Sequence, residues 1–246
     1  MLEIQSLAIS VANKTIVEAI DLTINAGEIH VLMGPNGVGK STLTRALLGD
    51  ADYTIESGAL RLGGLDLLPL SIEQRAHQGL FVAFQHPVTI PGVSNLQFYK
   101  AMVNAHRQVQ NLEPLDAIEL LAQVKQAAQQ SGLNEDFLYR GLNDGFSGGE
   151  KKRNELLQML LLSPRIAVVD EIDSGLDVDA LKIIGQGIRH LQQQGTGFLL
   201  ITHYPHWLEY LTPDQVHILL AGRIVQSGGV ELADQVANQG FQAFAA

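Results

Sequence analysis

Gly34-Pro35-Asn36-Gly37-Val38-Gly39-Lys40-Ser41-Thr42 follows the apolar run Ile29-His30-Val31-Leu32-Met33 and opens a helix-compatible stretch from Leu43 to Leu48. The order of strand, glycine turn and helix is that of a P-loop. Its spacing has a physical reason. Gly37 and Gly39 let the backbone turn its N–H groups inward, and those donors, with the positive end of the following helix, hold phosphate oxygens. Lys40 is then placed to reach the β- and γ-phosphates of a nucleotide such as ATP, and the Ser41 hydroxyl to ligate Mg²⁺. The bland alternative is a glycine turn that happens to contain lysine; the strand before it and the helix after it argue for the phosphate site.

Around this motif, 246 residues with 46% apolar and 17% charged content suit one α/β domain with an ample core, or a core with a smaller insert. Lys and Arg number 16 against 26 Asp and Glu, a net charge of −10. That balance weighs against nucleic acid and against an anionic membrane surface as direct partners, and leaves proteins. With no cysteine, disulfides and any cysteine-ligated metal or cluster on this chain are excluded. The N-terminus alternates like a strand instead of pairing a basic start with an apolar core. No apolar run approaches the roughly 18 residues of a membrane span. A cytoplasmic protein with no direct membrane insertion is expected.

In chain order, Leu2-Ile4-Leu7-Ile9-Val11 and then Ile16, Val17, Ile20, Leu22 and Ile24 predict short strands, with turns at Asn13-Lys14 and Asn25-Ala26-Gly27. The helix after the P-loop stops at Gly49. Leu60, Leu62, Leu65 and Leu67 around Gly63-Gly64 predict a hairpin, and Leu80 to Phe84 a buried strand ending at Gln85. From Val93 to Leu162 the texture is helical; Leu120, Leu121, Val124, Ala127 and Ala128 repeat at helical spacing until Ser131-Gly132. Strand and helix alternate again from Arg165 to Thr202. The helical segment 93–162 is therefore expected as an insert in one α/β core made of residues 1–92 and 163–246.

That core supplies a second phosphate-related feature. Ile166-Ala167-Val168-Val169 reads as a strand buried on both faces, and it ends in Asp170-Glu171. Asp170 would hold Mg²⁺ through water beside Ser41, and Glu171 would orient or deprotonate an attacking water. Further on, Ser147-Gly148-Gly149-Glu150 forms a capping box, with Ser147 as N-cap and Glu150 three residues on. A cap alone does not need two glycines. They would let a second helix N-terminus approach an anion closely, and one chain rarely needs two such ends for one nucleotide.

The P-loop, Gln85, Ser147-Gly148-Gly149, Asp170-Glu171, Ser174-Gly175-Leu176-Asp177 and Thr202-His203, in that order, resemble the ATP-binding-cassette ATPases over nearly the whole chain. The resemblance implies a P-loop NTPase core with an N-terminal antiparallel β subdomain and an inserted helical subdomain. It also implies an ATP-induced dimer in which two subunits sandwich two ATPs, each between the P-loop of one copy and the signature loop of the other. On this basis Gln85 contacts Mg²⁺ and the attacking water, Ser147 to Glu150 face the γ-phosphate of the partner copy, Asp177 lies in the D-loop, and His203 is the switch histidine.

Asp170-Glu171-Ile172-Asp173 lacks the proline usual in transporter ATPases and carries an added carboxylate. With Phe84-Gln85-His86-Pro87, Ile90-Pro91-Gly92-Val93-Ser94-Asn95, Gly145 to Asn154, Thr202-His203-Tyr204 and Gly222-Arg223-Ile224-Val225, it resembles the branch serving SUF iron–sulfur cluster assembly. That branch implies a soluble motor working with the scaffold proteins SufB and SufD. The alternatives are the nucleotide-binding subunit of a membrane transporter and a nucleotide-dependent clamp. Two departures stand out: no aromatic residue precedes Tyr53 to stack on adenine, and Glu150 replaces the usual Gln, which puts a negative charge near the partner copy's phosphate. Lys152 shares a helical stripe with Leu156 and Leu160. Its ammonium either snorkels within a solvated basic run with Lys151 and Arg153 or pairs with a carboxylate, Glu171 being the candidate.

Overall fold

The alternation at the N-terminus places Leu2, Ile4, Leu7 and Ile9 of β1 (Leu2–Val11) in the core, and the chain returns antiparallel as β2 (Lys14–Ile24). Ala12 and Asn13 make the turn with φ of 48° and 62°, the positive values a two-residue hairpin requires. The computed structural model describes residues 1–202 and 204–244. After β3 (Ile29–Met33) come helix α1 (Lys40–Leu48), the hairpin β4 (Tyr53–Leu62) and β5 (Leu65–Asp66), helix α2 (Ile72–His77) and β6 (Leu80–Ala83). The predicted strand through Phe84 stops one residue short. It is also less buried than expected, Phe81 and Val82 being only partly covered, because β6 forms the edge of its sheet.

The next stretch contains β7 (Ile90–Ser94), α3 (Asn95–Val109), α4 (Ala117–Ser131), β8 (Gly141–Leu142) and α5 (Gly148–Leu162). Helices dominate, but the pairing of β7 with β8 was not expected from the texture. Pro91 and Gly92 explain it, since neither suits a helix interior. The chain continues through β9 (Ile166–Asp170), α6 (Val178–Gln193), β10 (Gly197–Thr202), β11 (Gln215–Leu220), β12 (Arg223–Gly228) and α7 (Glu231–Gln239).

These elements form two compact units. One comprises Met1–Ala83, Pro164–Ile172 and the chain from Gln192; the other comprises Phe84–Ser163 and Asp173–Leu191. In the first, a four-stranded antiparallel sheet in the order β2-β1-β4-β5 and a six-stranded sheet in the order β12-β11-β3-β10-β9-β6 share one core. Leu43, Ala46 and Leu47 of α1 pack in it with Ile4 and Leu7 from one sheet and Leu32, Val168 and Ile201 from the other. Each leucine so buried contributes about 1.5–3 kcal/mol. All residues of β3, β9 and β10 are buried, as parallel strands covered on both faces require. Register aligns Met33 with Thr202 and Asp170 with Ile201, so the P-loop and Asp170-Glu171 leave the sheet at the same, carboxyl edge. The second unit has its own core, built from Tyr99 and Val103 of α3, Leu120 and Val124 of α4, and Leu157 of α5.

Candidate active site

The turn between β3 and α1 uses its glycines as their spacing predicts. Gly37 and Gly39 have φ of 81° and 112°. A Cβ on Gly34 would lie 2.4 Å from the Leu219 carbonyl oxygen, so the start of the loop admits no side chain. Helices α2, α3, α4 and α5 each begin with a capping box, whereas α1 begins at Gly39 with no side-chain cap and no acidic residue in its first turn. The first amides of α1 have no intrahelical acceptor, and no side chain of the helix takes an acceptor's place. An anion is the partner they suit.

Lys40, 5% exposed, folds back over this loop and donates to the carbonyl oxygens of Gly34 at 2.8 Å and Pro35 at 3.0 Å. Burial pushes its pKa down, against the pull of Glu171 and Asp170. Asp170, 6% exposed, has its pKa raised, first by burial and then by the neighbouring Glu171; the Ser41 hydroxyl, the Lys40 ammonium and the Thr44 hydroxyl oppose the shift. Its Oδ1 is buried with no hydrogen-bond partner. An unsatisfied hard oxygen beside the Ser41 hydroxyl fits Mg²⁺, which prefers one or two protein oxygens and completes its shell with water and phosphate. No group of three or more His, Cys, Asp or Glu able to hold a metal occurs among the described residues. Glu171 is buried at φ 49°, a left-handed conformation costing on the order of 1–3 kcal/mol outside glycine. Its N–H donates to the Ile201 carbonyl at 2.9 Å, which fixes the turn at the strand end.

Gly34 to Thr42, Asp170 and Glu171 are thus brought together in the first unit. Gln85, Ser147 to Glu150 and Asp177 belong to the second. His203 lies outside the described residues. Gln85 is exposed in a bend after β6. The Ser147 hydroxyl accepts from the Glu150 N–H at 3.3 Å, and Glu150 Oε2 accepts from the Ser147 N–H at 2.7 Å, so the capping box is formed in full. The charge of Glu150 is turned back onto the backbone. A Cβ on Gly148 would meet nothing, and one on Gly149 only the Leu176 side chain at 3.4 Å. Neither glycine is demanded by packing within the unit.

Several polar roles escaped the sequence. Asp177 accepts from the Ala180 N–H at 2.7 Å and so caps α6, a signal visible in principle from an Asp preceding a periodic run. Buried Arg75 donates from one guanidinium nitrogen to the carbonyls of Ala46 and Leu47, both at 2.8 Å, closing the C-terminal end of the P-loop helix. Lys152 is buried, not part of a solvated run, and its ammonium donates to the Ser174 carbonyl at 2.8 Å.

A family model described as "ABC transporter" matches residues 17–174. Over 98% of this chain and 97% of its own length, the "Probable ATP-dependent transporter SufC" of Escherichia coli strain K12 is 46% identical. A "Probable ABC transporter ATP-binding protein" of Streptococcus pyogenes serotype M18 is 42% identical over 100% of this chain and 95% of its own. Among solved structures, an ATP-binding subunit of an ABC transporter superposes with a TM-score of 0.82 at 23% identity, covering 100% of this chain and 98% of that one; it is similar in fold.

Proposed function

Because the chain belongs to the ABC transporter family and is an ABC-type ATPase, we propose that it hydrolyses Mg-ATP in a transient head-to-tail dimer to drive conformational change in a SufB/SufD scaffold during iron–sulfur cluster assembly. The observation that carries this reading is the 46% identity to a SufC protein along 98% of the chain. The Asp170-Glu171-Ile172-Asp173 turn and the absence of cysteine support it, since cluster ligands then sit on the partner. Location in the cytoplasm is part of the proposal. Among the described residues no helix is long and apolar enough to cross a membrane.

The chain's own groups divide the chemistry. Gly34 to Thr42 cradle the phosphates, with the uncapped end of α1 behind them. Lys40, released from the Gly34 and Pro35 carbonyls, turns its ammonium to the phosphate oxygens. Ser41 and, through water, Asp170 would hold Mg²⁺, which neutralises charge on the phosphoryl oxygens when bound. Glu171 orients the attacking water and takes its proton, and Gln85 and His203 complete the contacts around the γ-phosphate. Ser147 to Glu150 and Asp177 act on the nucleotide held by a second copy of the chain. Closure and reopening of the pair is the motion passed to the scaffold.

The test is the Mg-ATPase rate of the chain alone, with purified SufB and SufD, and with membranes, using Lys40→Ala as the blank. Stimulation by the soluble scaffold is expected. Stimulation by membranes alone would favour a second reading, a nucleotide-binding subunit of a membrane transporter, for which the names of both the Escherichia coli and the Streptococcus relatives speak.

A further inference from the structure

Two successive residues of α5, Asn154 and Glu155, are buried although polar. Both lead to the same short stretch of chain. Glu155 Oε1 accepts from the N–H of Phe84, immediately before Gln85, at 2.8 Å. Asn154 Nδ2 donates to Asn143 Oδ1 at 2.8 Å, and Asn143 Nδ2 donates to the carbonyl of Val88, three residues after Gln85, at 2.7 Å. Asn154 is itself fixed: its Nδ2 also donates to Asn95 Oδ1 at 3.0 Å, and its Oδ1 accepts from the Tyr99 hydroxyl. Asn95 in turn donates to the carbonyl of Phe137 at 2.9 Å, which ties this cluster to α3 and the turn after α4.

We propose that Glu155 and Asn154 are positioning residues that anchor the Phe84–Val88 segment at both ends to α5, so that Gln85 moves as one body with the Ser147-Gly148-Gly149 end of that helix. The inference rests on the reading of Gln85 as a contact of the γ-phosphate and attacking water. Its consequence is mechanical. A displacement of Gln85 on phosphate binding or loss is transmitted along a 15-residue helix to its N-terminus instead of being absorbed by flexing of the loop.

Energetics favour an anchoring role over a stabilising one. Burial pushes the Glu155 carboxyl up to about 8, against the Phe84 hydrogen bond and the charge of Lys152, and its Oε2 has no hydrogen-bond partner. A desolvated carboxyl with half its acceptors unmet does not stabilise a helical core better than an apolar side chain of equal reach. What an apolar side chain does not supply is the fixed acceptor for Phe84. Hydrogen-bonded buried clusters of this kind specify one geometry.

The experiment compares Glu155→Met, Glu155→Gln, Asn143→Gly and Gln85→Ala with the unaltered chain, reading kcat and KM for Mg-ATP, the exchange rate of the Phe84 amide by NMR, and Tm. Asn143 has φ 59°, which glycine adopts freely, so that substitution deletes the Val88 link without strain. Glu155→Met should lower kcat about tenfold with KM within about twofold, speed Phe84 exchange about tenfold, and leave Tm no lower. Glu155→Gln keeps an acceptor oxygen and should restore both kcat and exchange. Asn143→Gly should lower kcat with no change in KM. Wild-type kcat in Glu155→Met, with a reduced rate in Gln85→Ala, would overturn the anchor alone. A fall in kcat without faster Phe84 exchange, or a Gln variant as impaired as Met, would also overturn it. A wild-type rate in Gln85→Ala would remove what the anchor positions and overturn both readings.

Discussion

Asp170→Asn should make the nucleotide-free protein more stable while ending its response to Mg²⁺. The carboxyl is 6% exposed, Oδ1 has no partner, and burial followed by repulsion from Glu171 raises its pKa despite Ser41, Lys40 and Thr44. The variant removes a buried charge and its repulsion from Glu171, and the lost Ser41 and Lys40 interactions return part of that gain, so the net relief is about 1–2 kcal/mol. For a chain of this length that corresponds to a rise in Tm of about 2–6 °C. The sign with pH follows from the raised pKa. The folded state holds this proton more tightly than the unfolded state, so stability associated with the neutral group is present below the ordinary carboxylate pKa and lost as pH rises above it. The advantage of the variant therefore grows as pH rises above the ordinary carboxylate range. Calorimetric unfolding measures it without nucleotide, with ATP plus EDTA, and with ATP plus Mg²⁺. At a hundredfold excess over Kd the unaltered protein gains about 2.7 kcal/mol from Mg-ATP. The variant should keep the increment from ATP alone and lose the part added by Mg²⁺. A lower Tm than wild type without nucleotide, or an undiminished Mg²⁺ increment, would refute the assignment.

Glu171→Gln should retain ATP binding, measured with a fluorescent nucleotide, and lose turnover by at least about a hundredfold; appreciable turnover would remove Glu171 from its role at the water. Arg75→Met leaves the Leu47 carbonyl, and that of Leu70 at 3.1 Å from Nε, without the guanidinium donor, and leaves the Ala46 carbonyl with the Gly49 N–H alone of its two donors. It should destabilise by about 2–4 kcal/mol in urea unfolding, and a loss below about 1 kcal/mol would mean water replaces the guanidinium. His217 stacks on His30 with their ring nitrogens 3.0 Å apart, and burial, then the neighbouring His30, pushes its pKa down to about 4. A base with a depressed folded pKa contributes stability that is lost as pH falls from its unfolded value near 6.5 toward 4. His217→Gln should flatten the loss of Tm across that interval, and an unchanged slope would place the acid sensitivity elsewhere.

The P-loop, the Asp170-Glu171 turn and the Ser147 cap were legible because each is a demand on consecutive residues: positive φ at Gly37 and Gly39, an apolar strand ending in carboxylates, a hydroxyl three residues before a carboxylate. The C-caps Gly49 and Gly132 were legible for the same reason. Ile90 to Ser94 was not, since its pairing depends on Gly141 and Leu142, some fifty residues away, and the two strands are too short to show a period. The Glu155 and Arg75 contacts were hidden in another way. Each is a single polar residue in a helix whose only sign is that it falls on a buried face, and their partners, Phe84 and α1, are main-chain groups that any sequence would present.

The two helix ends read as phosphate sites differ in what they have left to give. At α1 the first-turn amides face no side-chain cap, Lys40 donates to two loop carbonyls, and Asp170 keeps an unmatched oxygen, all within one unit. These groups raise the free energy of the empty site and would be relieved by an anion and a cation together, so on the proposed reading the single chain carries most of the affinity for Mg-ATP. At α5 the Glu150 amide is already taken by Ser147 and the Glu150 carboxylate by the Ser147 amide. That end starts satisfied, and Glu150 keeps a negative charge beside it, so it adds little binding to a phosphate. On the proposed reading its use lies in shape: the open space over Gly148 would admit a second chain's nucleotide closely enough for the capped helix end to orient the γ-phosphate. On that reading affinity belongs to the single chain and turnover to the pair, the division needed if ATP binds before the partner copy closes over it.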